Sequence, residues 1–336
     1  MADSPLIAYI NGSYSTAIQQ GYKPGLTNDS VKQTGPVDCP LLSMLSDGPV
    51  APALEQTIFV DPITAATSRP TGVPVGNEPG TLSTTVTRTP VTNWIQKIEN
   101  VFSVSQEAEK IAREGGIAGN VVSEVTYDTQ RKAKILLTSA ELAMWSAQIG
   151  QADQRDGTNP GYIKGVFALM TTNVNKRVDT TGAAVSFTPA DITDIQETDL
   201  RDQAQLCFKQ GCGPLLTTFV PLVLQAAWSA AFKGRPQILI NVSQNEMLNM
   251  QIESYTAACG VKVDIIPNRT MDGTCAGVLD MQQWSKRVFW PYQLVMYIEM
   301  TRNRRGYMQY AWTVLSGVEK LSGGWKLPTI GTANPS

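Results

Sequence analysis

Side chains that could do chemistry are scattered through this sequence, and few stand at the spacing that chemistry needs. Asp153 and Asp156-Gly157 lie in QADQRDGTNPG but miss the alternating positions of a calcium loop, so a polar turn is favoured. Gly211-Cys212-Gly213 lacks the third glycine of a dinucleotide-binding turn, and neither GxxxxGKS nor GxxxxGKT occurs. Cys207 and Cys212 are separated by four residues with no other plausible ligand nearby, which favours structural thiols over a metal or redox pair. Arg302, Arg304 and Arg305 in TRNRRGY could hold a phosphate. Arginines grouped at a turn beside aromatics more often make subunit or surface salt contacts. Trp94, Trp145, Trp228, Trp284, Trp290, Trp312 and Trp325 read as core or interface anchors, not as a platform for stacking bases.

The chain contains no histidine. It therefore lacks the usual general base near neutral pH, the commonest metal ligand, and any Ser–His or Cys–His pair. What remains open to an enzyme is carboxylate or lysine chemistry. No catalytic constellation, cofactor or metal site is expected.

The 336 residues are 42% apolar and 17% charged, enough for a substantial folded core. With 27 basic and 29 acidic side chains the net charge is −2, too weak a field to indicate a nucleic-acid or membrane-surface binder. The opening MADSPLIAYI lacks the basic-then-apolar layout of a signal peptide, and five scattered cysteines fit a reducing compartment. From Gln210 to Phe232 no side chain is charged. Pro214, Pro221, Thr217, Thr218 and Gln225 suit a loop and a buried helix capped by Thr218 better than a bilayer span.

The elements that would position these residues run in a definite order. Residues 1–53 are rich in Gly, Pro, Ser, Thr and Asn around one apolar knot, PLLSML at 40–45, and read as an extended arm with a short anchoring helix. Residues 54–92 hold two β-capable runs, Thr57–Val60 and Leu82–Thr89, flanking Pro62, Pro70, Pro74 and Pro79: a long hairpin too polar to bury itself. An isolated hairpin is marginal in water, so it must lie on something else. In NWIQKIENVFSVSQEAEKIA, Trp94, Ile98, Phe102 and Val104 alternate onto one strand face, and Ser105 caps a helix that breaks at Gly115-Gly116. A long helix follows over Val121–Ile149, with Ala133, Leu136, Leu137, Ala140, Ala143, Met144 and Ala147 on one stripe, a rod of roughly 40 Å. Helices are expected at Glu197–Gln210, Pro221–Lys233 and from SQNE at 243. Strands are expected at QILINV, VKVDIIP, CAGVLD and YMQYAWTVL, before a loop tail, GGWKLPTIGTANPS. The class is mixed α+β.

This order of arm, long hairpin, strand, spine-length helix, α/β lobe and final strand resembles the major capsid proteins of tailed phages, the Hong Kong 97-like fold. Four stretches resemble the branch that includes the Escherichia phage with an elongated head. They are the knot at 40–45, the junction at Asn93–Gln96 with Val104-Ser105, GRPQIL at 234–239, and IPNRTM at 266–271 leading to Val278-Leu279-Asp280. They follow in order over residues 36–325. The resemblance implies an N-terminal arm over 1–53 and an extended loop over 54–92. It further implies a peripheral domain from 93–155 and 281–336, and an axial domain over 156–280.

It also implies a structural, non-enzymatic subunit in the virion, present in the host cytoplasm during assembly. Partners would be further copies in pentamers and hexamers, a portal protein, and a scaffold, protease or decoration protein. Packaged DNA would be touched weakly and non-specifically, and no membrane is involved. The physical logic is that a first quarter unable to bury itself gains stability only on neighbouring copies, across interfaces of about 2,000–5,000 Å². The residues assigned to those contacts are Leu41, Leu42, Leu45, Phe59, Trp94, Arg302, Arg304 and Arg305. A nanocompartment shell of the encapsulin type, holding an enzyme cargo, and a carboxylate-dependent enzyme are the competing readings.

Overall fold

Pro40 sits where a helix tolerates a missing N–H, in the first turn of α1 (Pro40–Met44), and buries Leu41 and Leu42 beneath it. The computed structural model describes residues 39–60, 88–107, 109, 124–145, 161–232, 254–271, 274–297 and 303–327. After α1 the chain runs as β1 (Ser46–Asp47), parallel to residues 285–286 of a later strand. The Gly48 N–H donates to the Lys286 carbonyl at 2.8 Å and the Ala51 N–H to the Val288 carbonyl at 3.2 Å. Residues 39–51 are thus folded onto their own subunit. This corrects the expectation that the whole arm is unsatisfied. The docking combines the buried leucines of α1 with backbone hydrogen bonds to that later strand, and a Gly- and Pro-rich composition does not reveal the latter.

β2 (Glu55–Val60) and β3 (Thr89–Trp94) form the base of the hairpin, antiparallel with Gln56 opposite Asn93 and Phe59 opposite Pro90. Residues 61–87 lie outside the described residues, and so does most of the expected Leu82–Thr89 run. The single strand expected from Trp94 to Val104 is two strands in two sheets. β4 (Gln96–Ser105) begins after Ile95, which is buried with Ala51 and Ala311 and whose N–H donates to the Leu54 carbonyl at 2.9 Å. Period-2 alternation continues across such a corner, so the pattern cannot show the change of sheet. Phe102 and Val104 are buried as expected, while Trp94 is half-buried on the hairpin.

α2 (Glu124–Trp145) is the long helix and packs on a four-stranded sheet whose order is β1, β11 (Trp284–Met296), β12 (Asn303–Ser316) and β4. Its stripe of Leu136, Ala140 and Met144 meets Met308, Trp312 and Val314 of β12. β12 lies between β11 and β4, and every residue from Met308 to Ser316 is buried. Arg304 and Arg305 are therefore on a strand, opposite Val104 and Ser103, and not at a turn. Register shifts between Val288, Trp290 and Gln293 let β11 absorb Pro291.

The chain then forms α3 (Val166–Leu169), a small hairpin of β5 (Lys176–Val178) and β6 (Ala184–Ser186), and α4 (Glu197–Gln210), which ends at Gly211 with φ +93°. β7 (Leu215–Val220) leads into α5 (Leu222–Phe232), followed by β8 (Ser254–Thr256), β9 (Lys262–Pro267) and β10 (Cys275–Leu279). Together with β13 (Gly323–Lys326) they make a five-stranded sheet of order β13-β10-β7-β9-β8, in which only β7 and β9 are parallel. Its faces serve two cores. Phe219, Cys275 and Leu279 face α2, while Leu216, Val220, Val263, Ala276, Val278 and Trp325 face α4 and α5.

Two expectations fail here. Thr218 is a buried strand residue and caps nothing, and the GGWK tail is a strand. The expected break at Gly115-Gly116, the QILINV strand and the SQNE helix lie outside the described residues.

Gly324 faces Gly277 across β13 and β10, where an added Cβ would meet the Ala276 carbonyl oxygen at 2.5 Å and Phe167 at 3.1 Å. Gly324→Ala is expected to cost about 3 kcal/mol, at the upper end for overpacking because backbone must move. The measurement is denaturant unfolding of the unassembled subunit.

Candidate assembly surfaces and their anchors

A hairpin or arm projects from a defined place when its root is fixed, and two buried polar side chains fix these roots. The first is Glu141 on α2, which is 0% exposed. Its carboxylate accepts from the Leu41 N–H at 3.1 Å, the Leu42 N–H at 2.8 Å, the Trp145 indole N–H at 3.1 Å and the Asn268 amide at 2.7 Å. The second is Asn93, also 0% exposed. It donates to the carbonyls of Val314 at 2.6 Å and Lys164 at 3.1 Å, and accepts from the N–H groups of Lys164 at 2.7 Å and Trp94 at 2.9 Å. Its cross-strand neighbour Gln56 donates to the Ala53 carbonyl at 2.6 Å and accepts from Arg287 at 3.1 Å. Fully paired amides of this kind rigidify a junction. The hairpin base is thereby stitched to β11, β12 and residue 164.

Other carboxylates serve as acceptors for backbone N–H groups. Asp194 takes those of Ala190 and Asp191, Asp199 that of Gln196, Asp202 that of Val178, and Asp280 that of Gly213. Glu319 takes those of Thr171 and Thr172, and the Thr172 hydroxyl as well. Asp179 titrates below the ordinary carboxylate range because the Thr181 hydroxyl and then the Ala183 N–H donate to it. Each oxygen used this way organises a loop.

The Cys207 carbonyl accepts the Cys212 N–H at 3.1 Å at the end of α4. Burial raises the Cys207 thiol, and burial with the nearby Asp280 pushes Cys212 up to about 11. Near pH 7 both are neutral thiols, poor nucleophiles and poor ligands. Among the described residues no group of three or more His, Cys, Asp or Glu could hold a metal, and no helix is long and apolar enough to cross a membrane.

The residues assigned to contacts between copies fall in three places. Leu41, Leu42 and Leu45 are buried in the subunit's own core beside α2, so they offer no surface to a neighbour. The knot is apolar because it docks inward, and composition alone could not tell this from docking outward. Phe59 on the hairpin is 66% exposed, with Trp94 half-buried at its base. Arg304 and Arg305 are exposed at the far end of β12, and Arg302 is outside the described residues. Beside those arginines the outer part of β11 exposes Tyr292, Leu294 and Met296, Tyr297 just after it is exposed too, and β4 exposes Val101. α5, expected to be a buried core helix, hides Leu224 and Trp228 but exposes Leu222, Val223 and Ala226. That face was missed because an all-apolar helix reads as core. The lack of any charge over residues 210–232 was its signal.

The SU10 major capsid protein family matches residues 15–314. Among curated proteins there is no match. A structure from Mycobacterium phage Ogopogo aligns with 14% identity and a TM-score of 0.51, covering 93% of this chain and 98% of its own. The capsid structure of Cyanophage P-SCSP1u gives 9% identity and 0.55 over 90% and 93% of the two chains. The holo-SrpI encapsulin complex from Synechococcus elongatus PCC 7942 gives 11% and 0.52 over 93% and 95%. At these identities the structural likenesses show the fold alone.

Proposed function

The chain belongs to the SU10 major capsid protein family and is a tailed-phage major capsid protein with the Hong Kong 97-like fold; from that premise we propose how it builds a shell. Copies assemble as pentamers and hexamers into the icosahedral head, enclosing double-stranded DNA. The hairpin reaches from its stitched base onto a neighbouring copy. The observation that carries this is the hairpin's design: a root locked by Asn93 and Gln56, and an exposed Phe59 on the described part of its strands. Apolar surface of that kind on a described face favours a partner.

The four-stranded sheet with α2 forms the peripheral domain, proposed as 93–155 and 281–336, though β13 of that span joins the other sheet. Residues 156–280 form the axial domain. The division into arm (1–53) and extended loop (54–92) completes the proposal. Phe59, Trp94, Arg304 and Arg305, joined by the exposed end of β11, make the contacts between copies. A portal protein, and a scaffold, protease or decoration protein, are proposed partners, with the host cytoplasm as the place of assembly. The near-neutral net charge suits a container that holds DNA without binding it tightly. The elongated-head Escherichia branch remains a proposal resting on the four sequence stretches. The nanocompartment reading shares the fold with the encapsulin, but the family match favours the phage.

The test separates surface from core. Phe59→Asp is expected to change subunit stability by less than about 0.5 kcal/mol, since the side chain is exposed. The same change should sharply reduce the yield of closed particles in electron micrographs. Normal particles from Phe59→Asp and from a Phe59→Asp, Arg304→Glu, Arg305→Glu triple variant would refute the assigned contacts.

A further inference from the structure

α1 is too short to persist alone: five residues, with Cys39 at its N-cap position providing no side-chain cap. Its free ends are held by charged side chains from elsewhere. At the N-terminal end Glu141, 100 residues from Leu41, accepts the unpaired N–H groups of Leu41 and Leu42. At the C-terminal end the Lys286 ammonium donates to the Leu42 carbonyl at 3.1 Å and pairs with Asp47 at 3.3 Å. Each charge has the sign that the adjacent helix end favours.

We infer that Glu141 is the positioning residue for the described end of the N-terminal arm, the acceptor that fixes α1 and the segment from Cys39 to Asp47 against α2. Asn268, which supplies the fourth hydrogen bond, is itself fixed: its N–H donates to the Val220 carbonyl at 2.9 Å and its side-chain oxygen accepts from Thr270. The arm, the long helix and the 266–271 turn therefore meet on one carboxylate. Four N–H donors converge on it, a load that two acceptor-only oxygens can take. A glutamine would offer one oxygen and turn an NH2 group toward those donors. Buried and hydrogen-bonded on all sides, Glu141 has no route to water as a substitute partner.

This inference rests on the shell reading only for its consequence in assembly, and the two can fail separately. In the full-length, unassembled Glu141→Gln variant, amide hydrogen exchange at Leu41 and Leu42 is expected to accelerate at least tenfold. Amides of β7 and β10 should stay within about twofold of the parent. Should Glu141→Gln prove insoluble, Glu141→Asp, which keeps the carboxylate but draws it back by one methylene, must show the same order, arm amides first. Unchanged arm exchange would overturn the inference. So would equal acceleration in β7 and β10, which would make Glu141 a general core residue. Regular closed shells from a variant whose arm amides have been released would leave it no role in assembly.

Discussion

Replacing residues 61–88 by an Asn-Gly turn is expected to give a folded, soluble subunit that forms no closed shells. Val60 and Thr89 are the last paired positions of the described hairpin, close enough for a two-residue turn to join the strands at that end. The cut spares what roots the hairpin: Gln56 with Arg287, Asn93 with Lys164 and Val314, and the Ile95 corner. Removing all of 54–92 would also take Gln56 and expose the Ala51–Ile95–Ala311 cluster, confusing lost assembly with lost folding. Subunit folding would be followed by the denaturant midpoint, and assembly by sedimentation and electron microscopy. A closed particle of normal size from the shortened chain would end the proposal that this segment clasps neighbouring copies.

Asn93→Leu is the most damaging single substitution expected at the hairpin root. Leucine keeps the γ-branched outline, though it is larger, and strands the N–H groups of Lys164 and Trp94 and the carbonyls of Val314 and Lys164. An unpaired buried group costs about 1–3 kcal/mol, and partial relaxation recovers some of it, so a loss of about 3–5 kcal/mol is expected. The urea midpoint of the unassembled protein measures it. Thr92→Ala, one position along the same strand, should cost under about 1 kcal/mol, because its neighbours use the Thr92 carbonyl and not its side chain. If the two variants were alike, the hairpin would be held by strand pairing alone.

What the sequence revealed depended on whether a local rule marked the element. Glu197–Gln210 was legible to its ends because Glu197 and Asp199 sit in the first turn and Gly211 closes the last. β9 and β10 announced themselves as short apolar runs. β7 did not, because Pro214 and Pro221 bracket it and two threonines interrupt it, so loop and cap were the local reading. β11 carries Lys286, Arg287 and Pro291, and only its register shifts make room for them. β13 is half glycine, chosen for close approach to β10, which strips it of any strand signature. The anchors left faint traces. Glu141 stands among Leu137, Ala140 and Met144 on the apolar stripe of the long helix, where a lone carboxylate must have partners. Those partners come from the 40–45 knot and the 266–271 stretch, two of the four segments on which the family resemblance rested. The sequence showed the segments, and only the fold showed that they touch.

The strand order of the two sheets also governs when the molecule can be finished during synthesis. β12, the middle of one sheet, and β13, an outer strand of the other, both lie in residues 303–326. A ribosome that has translated the first 300 residues has therefore released neither sheet in a form that can close. Nascent chains that lie side by side on one message have their hairpins exposed well before they have bodies to receive them. At roughly 5–20 residues per second the interval is tens of seconds, long enough to call for chaperones.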